Sequence, residues 1–222
     1  MPTEPNTSAA PATATPVTAD DVARAVELAV AALRPAAGAD WDVRAGKVEW
    51  TCRETAEHLA DDLFFYAAHI GSLRPVTDGD LPFGWTARRP EGPKNTVTVE
   101  TDAGPEGLFS VLEACGGLLA AVVRATPPTA RAHHVFGVSD PEGFAAMGVV
   151  ETLVHAYDIA RGLGARFEPP AALCSRALRR LFPDAPTGTA PWPTLLWATG
   201  RGELDGRARP RQWRWYGAPR AT

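Results

Sequence analysis

The chain has 222 residues, enough for one domain with a small appendage and for a core that needs no disulfides. A net charge of -4 argues against a nucleic-acid-binding protein, which usually carries a basic face. Three scattered cysteines, the lack of a signal-peptide pattern and the lack of a long apolar run predict a cytoplasmic protein with no membrane segment.

The start of the chain is rich in Pro, Thr and Ala and lacks large apolar side chains. Such a composition cannot offset the entropy lost on ordering, so residues 1–16 are predicted to form a disordered tail. Thr18 and Asp21 then form a capping-box pattern that predicts the start of a first helix. Pro35 predicts its end.

A second capping-box pattern, formed by Thr51 and Glu54, predicts a helix that runs to about residue 73. One face of this helix is apolar, with residues repeating at spacings of three and four. The adjacent stripe carries His58, Asp62, Phe65 and His69. A loop rich in Pro and Gly follows over residues 75–94, and the alternating residues 96–100 predict a short strand.

The clearest helix of the remaining chain has a cap at Ser139 or Asp140 and ends at Gly162 or Gly164. Other helices are predicted over residues 105–125, 170–182 and 192–200, with a strand over residues 212–216.

Four long helices with little strand predict a mainly all-α fold. We expect a four-helix bundle over residues 17–165. A small C-terminal α/β appendage, residues 166–222, is expected to pack on it. No internal repeat is present.

The fourth predicted helix carries a carboxylate and an imidazole in the middle of an apolar face. Glu151 and His155 are four residues apart, so both side chains can reach one ion. Burying an ionised carboxylate is costly unless it is paired or coordinates a metal. The pair by itself fits a buried polar network, Glu151 with His155 or with an arginine, as well as it fits a metal site.

His58, on the second helix, is a third candidate ligand, although by itself it fits a hydrogen-bonded core histidine. Together, His58, Glu151 and His155 on facing helices would give a three-ligand metal site with a vacant position, as catalytic sites have. Asp158 follows on the same stripe as His155. It either orients a ligand as a neighbouring carboxylate or pairs with Arg161 at the helix end.

The stretches WTCRETAEHLADDL (50–63) and EGFAAMGVVETLVHAYDIARGLG (142–164) resemble the DinB-like superfamily. Within it they most resemble the mycothiol-dependent maleylpyruvate isomerase group. This resemblance implies a four-helix bundle that binds one divalent metal, commonly zinc, through a His of the second helix and an E-x-x-x-H pair of the fourth. Those positions correspond to His58, Glu151 and His155.

The same resemblance implies a low-molecular-weight thiol, mycothiol or a similar one, as co-substrate of an isomerase or S-transferase. Binding to the metal would deprotonate this thiol, which is mostly protonated at neutral pH. In the family's isomerase a larger C-terminal domain supplies an arginine for the substrate's carboxylates. The C-terminal portion here is shorter, and Arg211 and Arg214 are the candidates for that role.

Two other functions stay open from the sequence. A metal-dependent hydrolase would hold water at the vacant position. A non-catalytic bundle would bind a small molecule or a protein partner. As partners the sequence predicts a small-molecule substrate and a thiol, with no nucleic acid and no membrane, and the chain is expected to be a monomer or a homodimer.

Overall fold

The structure is a computed structural model that describes residues 15–219. The predicted tail, residues 1–16, lies outside this range except for its last two residues. Within the described range the chain forms six α-helices and two single turns of 3₁₀-helix. The α-helices are α1 (Ala19–Leu33), α2 (Cys52–Gly71), α3 (Gly104–Ala125), α4 (Pro141–Gly162), α5 (Ala171–Leu181) and α6 (Pro191–Ala198); the 3₁₀ turns are Arg34–Ala36 and Thr101–Ala103.

The predicted helix starts are confirmed by the capping groups. Thr18 and Asp21 form a complete capping box at α1, and Thr51 and Glu54 form another at α2. The Asp140 carboxylate caps α4. Each cap satisfies backbone N–H groups that have no partner inside the helix.

Helices α1 to α4 form the predicted four-helix bundle, in which α1 and α2 each pack against both α3 and α4. Helix α4 is the most buried of the four, and its buried residues extend around most of its circumference. Helix α5 packs on α4 and on α6, which holds the C-terminal part of the chain against the bundle. The all-α class is therefore confirmed.

The strand predicted over residues 96–100 is wrong: this segment is irregular and pairs with no strand among the described residues. Its backbone N–H groups donate to carboxylates of α2 instead of to a neighbouring strand. Asp61 accepts hydrogen bonds from the N–H groups of Thr96 and Val97, at 2.8 and 2.7 Å. Glu57 accepts one from Val99 at 3.1 Å. The alternating sequence could not show that helix carboxylates, and not a second strand, would bind these N–H groups.

The strand predicted over residues 212–216 is also wrong, and with it the β component of the appendage. No strand forms within residues 15–219, where only isolated bridges occur. The N–H of Tyr216 donates to the carbonyl of Leu181, at 2.8 Å, and the Trp215 ring packs beside those of His134 and Phe136. The end of α5 and the neighbouring rings hold this segment in place of a second strand.

The segment that follows α2 folds back onto that helix through two ion pairs. Arg88 binds Glu57, with a shortest distance of 2.5 Å, and Arg89 binds Glu54 at 2.8 Å. Both carboxylates are buried, so these pairs offset much of their desolvation. The return of the chain brings Asn95 against His58.

The segment Thr101–Ala125 is long and apolar enough to cross a membrane by length and composition alone, contrary to our expectation from the sequence. In the structure α3 packs one face against α1 and α2. Charged groups along it pair with other helices, as Glu106 does with Arg34 and Arg124 does with Asp20. These contacts are those of a bundle helix and do not indicate a membrane protein. The cytoplasmic location stays a prediction.

Candidate metal centre

The residues expected to bind a metal come together between α2 and α4. Among residues 15–219, His58, Asp62 and His155 form a group whose donor atoms all lie within 4.8 Å of one another. Glu151, the carboxylate predicted from the sequence, is not in this group, but its Oε2 lies 3.0 Å from His155 Nε2. His58 and His155 face each other with ring centroids 5.6 Å apart. Whether these groups bind an ion stays a prediction.

Both imidazoles present the same nitrogen, Nε2, to the cluster. The Nε2 atoms of both rings face carboxylates in the cluster: His58 Nε2 lies 3.4 Å from Asp62 Oδ2, and His155 Nε2 lies beside Glu151. The Nδ1 atoms face outward. That of His58 is 3.3 Å from the Asn95 side-chain oxygen. Histidine ligands in proteins are commonly held in this way, with one nitrogen toward the metal and the other toward an oriented oxygen.

Two carboxylates of the cluster, Asp62 and Glu151, influence each other electrostatically. Burial, followed by the negative charge of Glu151, holds the pKa of Asp62 well above its usual range. Burial would also raise the pKa of Glu151, but the hydrogen bond from His155 and the positive charges of His155, His58 and Arg201 together lower it. A cation near these carboxylates would offset the repulsion between their negative charges.

Asp158 pairs with an arginine that the sequence did not suggest. Arg201, which follows α6, donates to Asp158 Oδ2 from Nε and Nη2, at 3.0 and 2.7 Å. Arg161, the partner considered from the sequence, donates to the hydroxyl of Tyr157 instead. Asp158 Oδ2 also lies 3.7 Å from His155 Nδ1, close enough for electrostatic attraction and too far for a hydrogen bond.

A cavity of about 380 Å³ opens beside the cluster. Trp50 forms part of its wall and meets the His58 ring edge to face, with centroids 4.6 Å apart. The C-terminal part of the chain completes the wall. The lining residues are Lys47, Val48, Trp50, His58, Glu151, His155, Asp158, Thr199, Gly200, Arg201, Arg209 and Trp213.

Arg211 and Arg214, the arginines considered for substrate binding, do not line this cavity. The Arg214 guanidinium lies over the rings of Phe136 and Tyr216, and Arg211 is exposed. Arg209 lines the cavity instead. Whether an arginine of the C-terminal segment binds a substrate carboxylate stays a prediction.

Three other residues, two histidines and a tryptophan, lie away from the cluster. His69 is buried and donates from Nδ1 to a carbonyl of its own helix. His133 lies near Asp80. Trp85 is exposed beside Phe65 and lines no part of the cavity. None of them takes part in the candidate centre.

Sequence reasoning missed several members of the site for identifiable reasons. Asp62 was not chosen as a ligand, although its spacing of four residues from His58 already indicated a shared helix face. Trp50 directly precedes the capping box of α2, but a tryptophan there carries no chemical signal. Asn95 and Arg201 reach the site only through tertiary folding, and no local pattern marks them.

The donor set fits a divalent cation such as zinc. Two neutral imidazole nitrogens and carboxylate oxygens are the ligand types that zinc takes at catalytic sites. The buried Nδ1 of His155 has no hydrogen-bond partner among the described residues. An imidazole that binds metal through Nε2 carries its proton on Nδ1, so its approach to Asp158 suits that state.

The fold and the cluster together define a four-helix-bundle protein with a candidate divalent-metal centre. A family profile described as the mycothiol maleylpyruvate isomerase N-terminal domain matches residues 19–160. The chain belongs to this DinB-like family, which confirms the resemblance noted in the sequence. Comparison with curated proteins and with solved structures gave no match. The matched region contains all four candidate ligands and ends before the C-terminal segment that closes the cavity.

Proposed function

We propose that this chain is a metal-dependent enzyme that uses a low-molecular-weight thiol, mycothiol or a similar one, to act on a small electrophile. The reaction would be thiol transfer or thiol-assisted isomerisation. The observation that carries this proposal is the convergence of two imidazole Nε2 atoms and two carboxylates beside a cavity of about 380 Å³. Membership of the family is the support for mycothiol as the thiol.

In this proposal His58, Glu151 and His155 hold the cation. Asp62 is close enough to contribute a further oxygen. When bound, a divalent cation lowers the pKa of a coordinated thiol or water and so supplies a nucleophile at neutral pH. Asn95 keeps the His58 ring in the orientation that presents Nε2.

The side chains of the cavity offer no strong nucleophile of their own, which supports an external thiol. Cys52, the cysteine nearest in sequence to Trp50 and His58 of the cavity wall, is fully buried. Its thiol lies near a carbonyl of α4. Burial, with a smaller contribution from Asp40, raises the pKa of Cys52 to about 11. A thiol in that state is almost entirely protonated at neutral pH and unreactive.

Two cations at the cavity support an anionic electrophile. Lys47 and Arg209 line the cavity and make no ion pair with any described carboxylate. Arg201 is different, because its charge is balanced by Asp158. A substrate carboxylate would find both free cations near the candidate metal, and the Trp50 and Trp213 rings would cover its apolar part.

The first test is His155→Ala, with protein purified without a metal-affinity tag. We expect the bound divalent metal to fall from about one per chain to almost none, since a three-ligand site loses one donor. Thiol-dependent turnover should be lost with it. His133→Ala is the matched control, because His133 lies near Asp80 and outside the cavity. Full activity in a metal-free His155→Ala protein would refute the proposal.

A second measurement separates the thiol reaction from hydrolysis. Mycothiol, glutathione and cysteine are added separately to the metal-loaded protein, and thermal unfolding is followed. A thiol that binds the folded state at a hundred times its Kd stabilises it by about 2.7 kcal/mol. We expect this shift with one thiol in the wild type and none in His155→Ala. No shift with any thiol would favour a hydrolase.

The charge of the electrophile is tested with maleate and its neutral dimethyl ester. In Arg209→Met we expect KM for maleate to rise about tenfold, as for loss of one charged hydrogen bond. KM for the ester should not change. Arg207→Met is the control, because this neighbouring arginine does not line the cavity. Equal effects of Arg209→Met on both compounds would show that the residue does not recognise charge.

A further inference from the structure

The ion pair between Asp158 and Arg201 connects the candidate metal centre to the C-terminal segment. Both Arg201 bonds converge on one oxygen, Asp158 Oδ2, and only 3% of the Asp158 side chain and 11% of the Arg201 side chain are exposed. The same oxygen is the carboxylate atom nearest to His155 Nδ1 on the outer side of that ring. Asp158 Oδ2 therefore faces both Arg201 and the candidate ligand His155.

The position of Arg201 is fixed by the turn that ends α6. Gly200 has a positive φ of 70°, and its N–H donates to the carbonyl of Trp197 at 2.9 Å. The N–H of Arg201 donates to the carbonyl of Leu196 at 2.7 Å. These two bonds form a Schellman motif, which caps the helix. A further bond, from Arg201 Nη1 to the carbonyl of Thr199, aims the guanidinium at Asp158.

The pair has a consequence for His155. A buried carboxylate such as Asp158 needs a compensating cation. Arg201 is that cation among the described residues, since Arg161 donates to Tyr157. The Asp158 oxygen that Arg201 binds lies opposite His155 Nδ1, at 3.7 Å. Electrostatic attraction to this oxygen favours the tautomer that carries the proton on Nδ1 and leaves Nε2 free to bind metal.

We infer that Arg201 is a positioning residue of the metal centre, which acts through Asp158 on His155. This inference rests on the proposed function. It also assigns part of the centre to a residue outside the matched region, residues 19–160, so the family domain alone lacks one element of the site.

The test measures the zinc affinity of purified protein by competition with a chelator, at one pH. We expect Arg201→Met to weaken zinc binding by about tenfold to a hundredfold, the usual effect of removing a partner of a metal ligand. Arg201→Lys keeps the charge and should restore part of the affinity. Arg161→Met is the matched control, because Arg161 lies near Asp158 without binding it, and should bind zinc like the wild type.

A double-mutant cycle distinguishes positioning from general stability. If Arg201 acts through Asp158, Arg201→Met should weaken zinc binding strongly in the wild type and little in Asp158→Ala. Should Arg201→Met fail to fold, the Arg201→Lys and Asp158→Ala proteins still complete a cycle. Wild-type zinc affinity in a folded Arg201→Met protein, or equal losses in both backgrounds, would overturn the inference. A wild type that binds no zinc would overturn the proposed function as well.

Discussion

His134 is a buried histidine at the junction of the bundle and the C-terminal segment. Its ring centroid lies 5.6 Å from that of Trp215 and 5.8 Å from that of Tyr66. Its Nδ1 accepts a hydrogen bond from the N–H of Phe136 at 3.1 Å. Burial lowers the pKa of His134 from 6.5 to about 4. His134 lies in the irregular segment between α3 and α4, where no local pattern indicates burial.

The lowered pKa predicts a pH dependence of stability. Between pH 4 and pH 6.5 the unfolded chain binds a proton at His134 more readily than the folded chain does. The contribution of this residue is therefore complete above pH 6.5 and is lost as the pH falls toward 4, by about 3 kcal/mol in all.

Urea unfolding at several pH values, with His134→Asn as the comparison, measures this effect. The asparagine side-chain oxygen can still accept the Phe136 N–H, but it does not titrate. We expect the free energy of unfolding of the wild type to fall more steeply below pH 6.5 than that of the variant. Parallel curves of unfolding free energy against pH would show that His134 does not cause the pH dependence.

The principal candidate ligands could be predicted at the residue level because helices impose fixed spacings. Glu151 and His155 share a face by spacing alone, and the capping box of α2 placed His58 in a helix. The groups that surround those ligands could not be predicted in this way. Asn95 comes from an irregular segment and Arg201 from a turn, and each reaches the site through long-range folding.

At the level of helices, two adjacent glycines of α3 have different surroundings. A Cβ added at Gly116 would lie 2.6 Å from Cγ2 of Val26, whereas one added at Gly117 would meet no atom within 4 Å. Val26 belongs to α1 and is buried. A branched side chain of this kind has little freedom to move aside. Gly116 therefore permits the close approach of α1 and α3.

The same substitution at these two positions should have opposite effects. We expect Gly116→Ala to reduce the free energy of unfolding by about 1–3 kcal/mol through overpacking. Gly117→Ala should increase it by up to about 1 kcal/mol, because alanine favours the helix and nothing obstructs it. Chemical denaturation of the two variants measures this. Equal effects would show that the two helices do not pack as closely as described.

Periodicity and caps predicted the helices correctly, whereas the alternating patterns predicted strands that do not form among residues 15–219. A helix satisfies its own backbone, so its signals are local. A strand needs a partner, which local sequence does not reveal. The N–H groups of Thr96, Val97 and Val99 are satisfied by α2 carboxylates, so this segment needs no sheet.

For the whole molecule, the site depends on parts that are distant in sequence. Helices α2 and α4 supply the candidate ligands, the segment after α2 supplies Asn95, and the turn after α6 supplies Arg201. Binding of a cation to both helices would favour the folded over the unfolded chain, since the unfolded chain has no such site. The bundle and the C-terminal segment would then act as one unit.

The most direct test of this account is anomalous X-ray scattering from crystals of untagged protein, recorded above and below the zinc absorption edge. We expect one strong peak between α2 and α4, about 2 Å from Nε2 of His58 and of His155 and bonded to a Glu151 oxygen. Crystals grown with zinc that show no peak there, with the imidazoles hydrogen-bonded to the carboxylates instead, would contradict it.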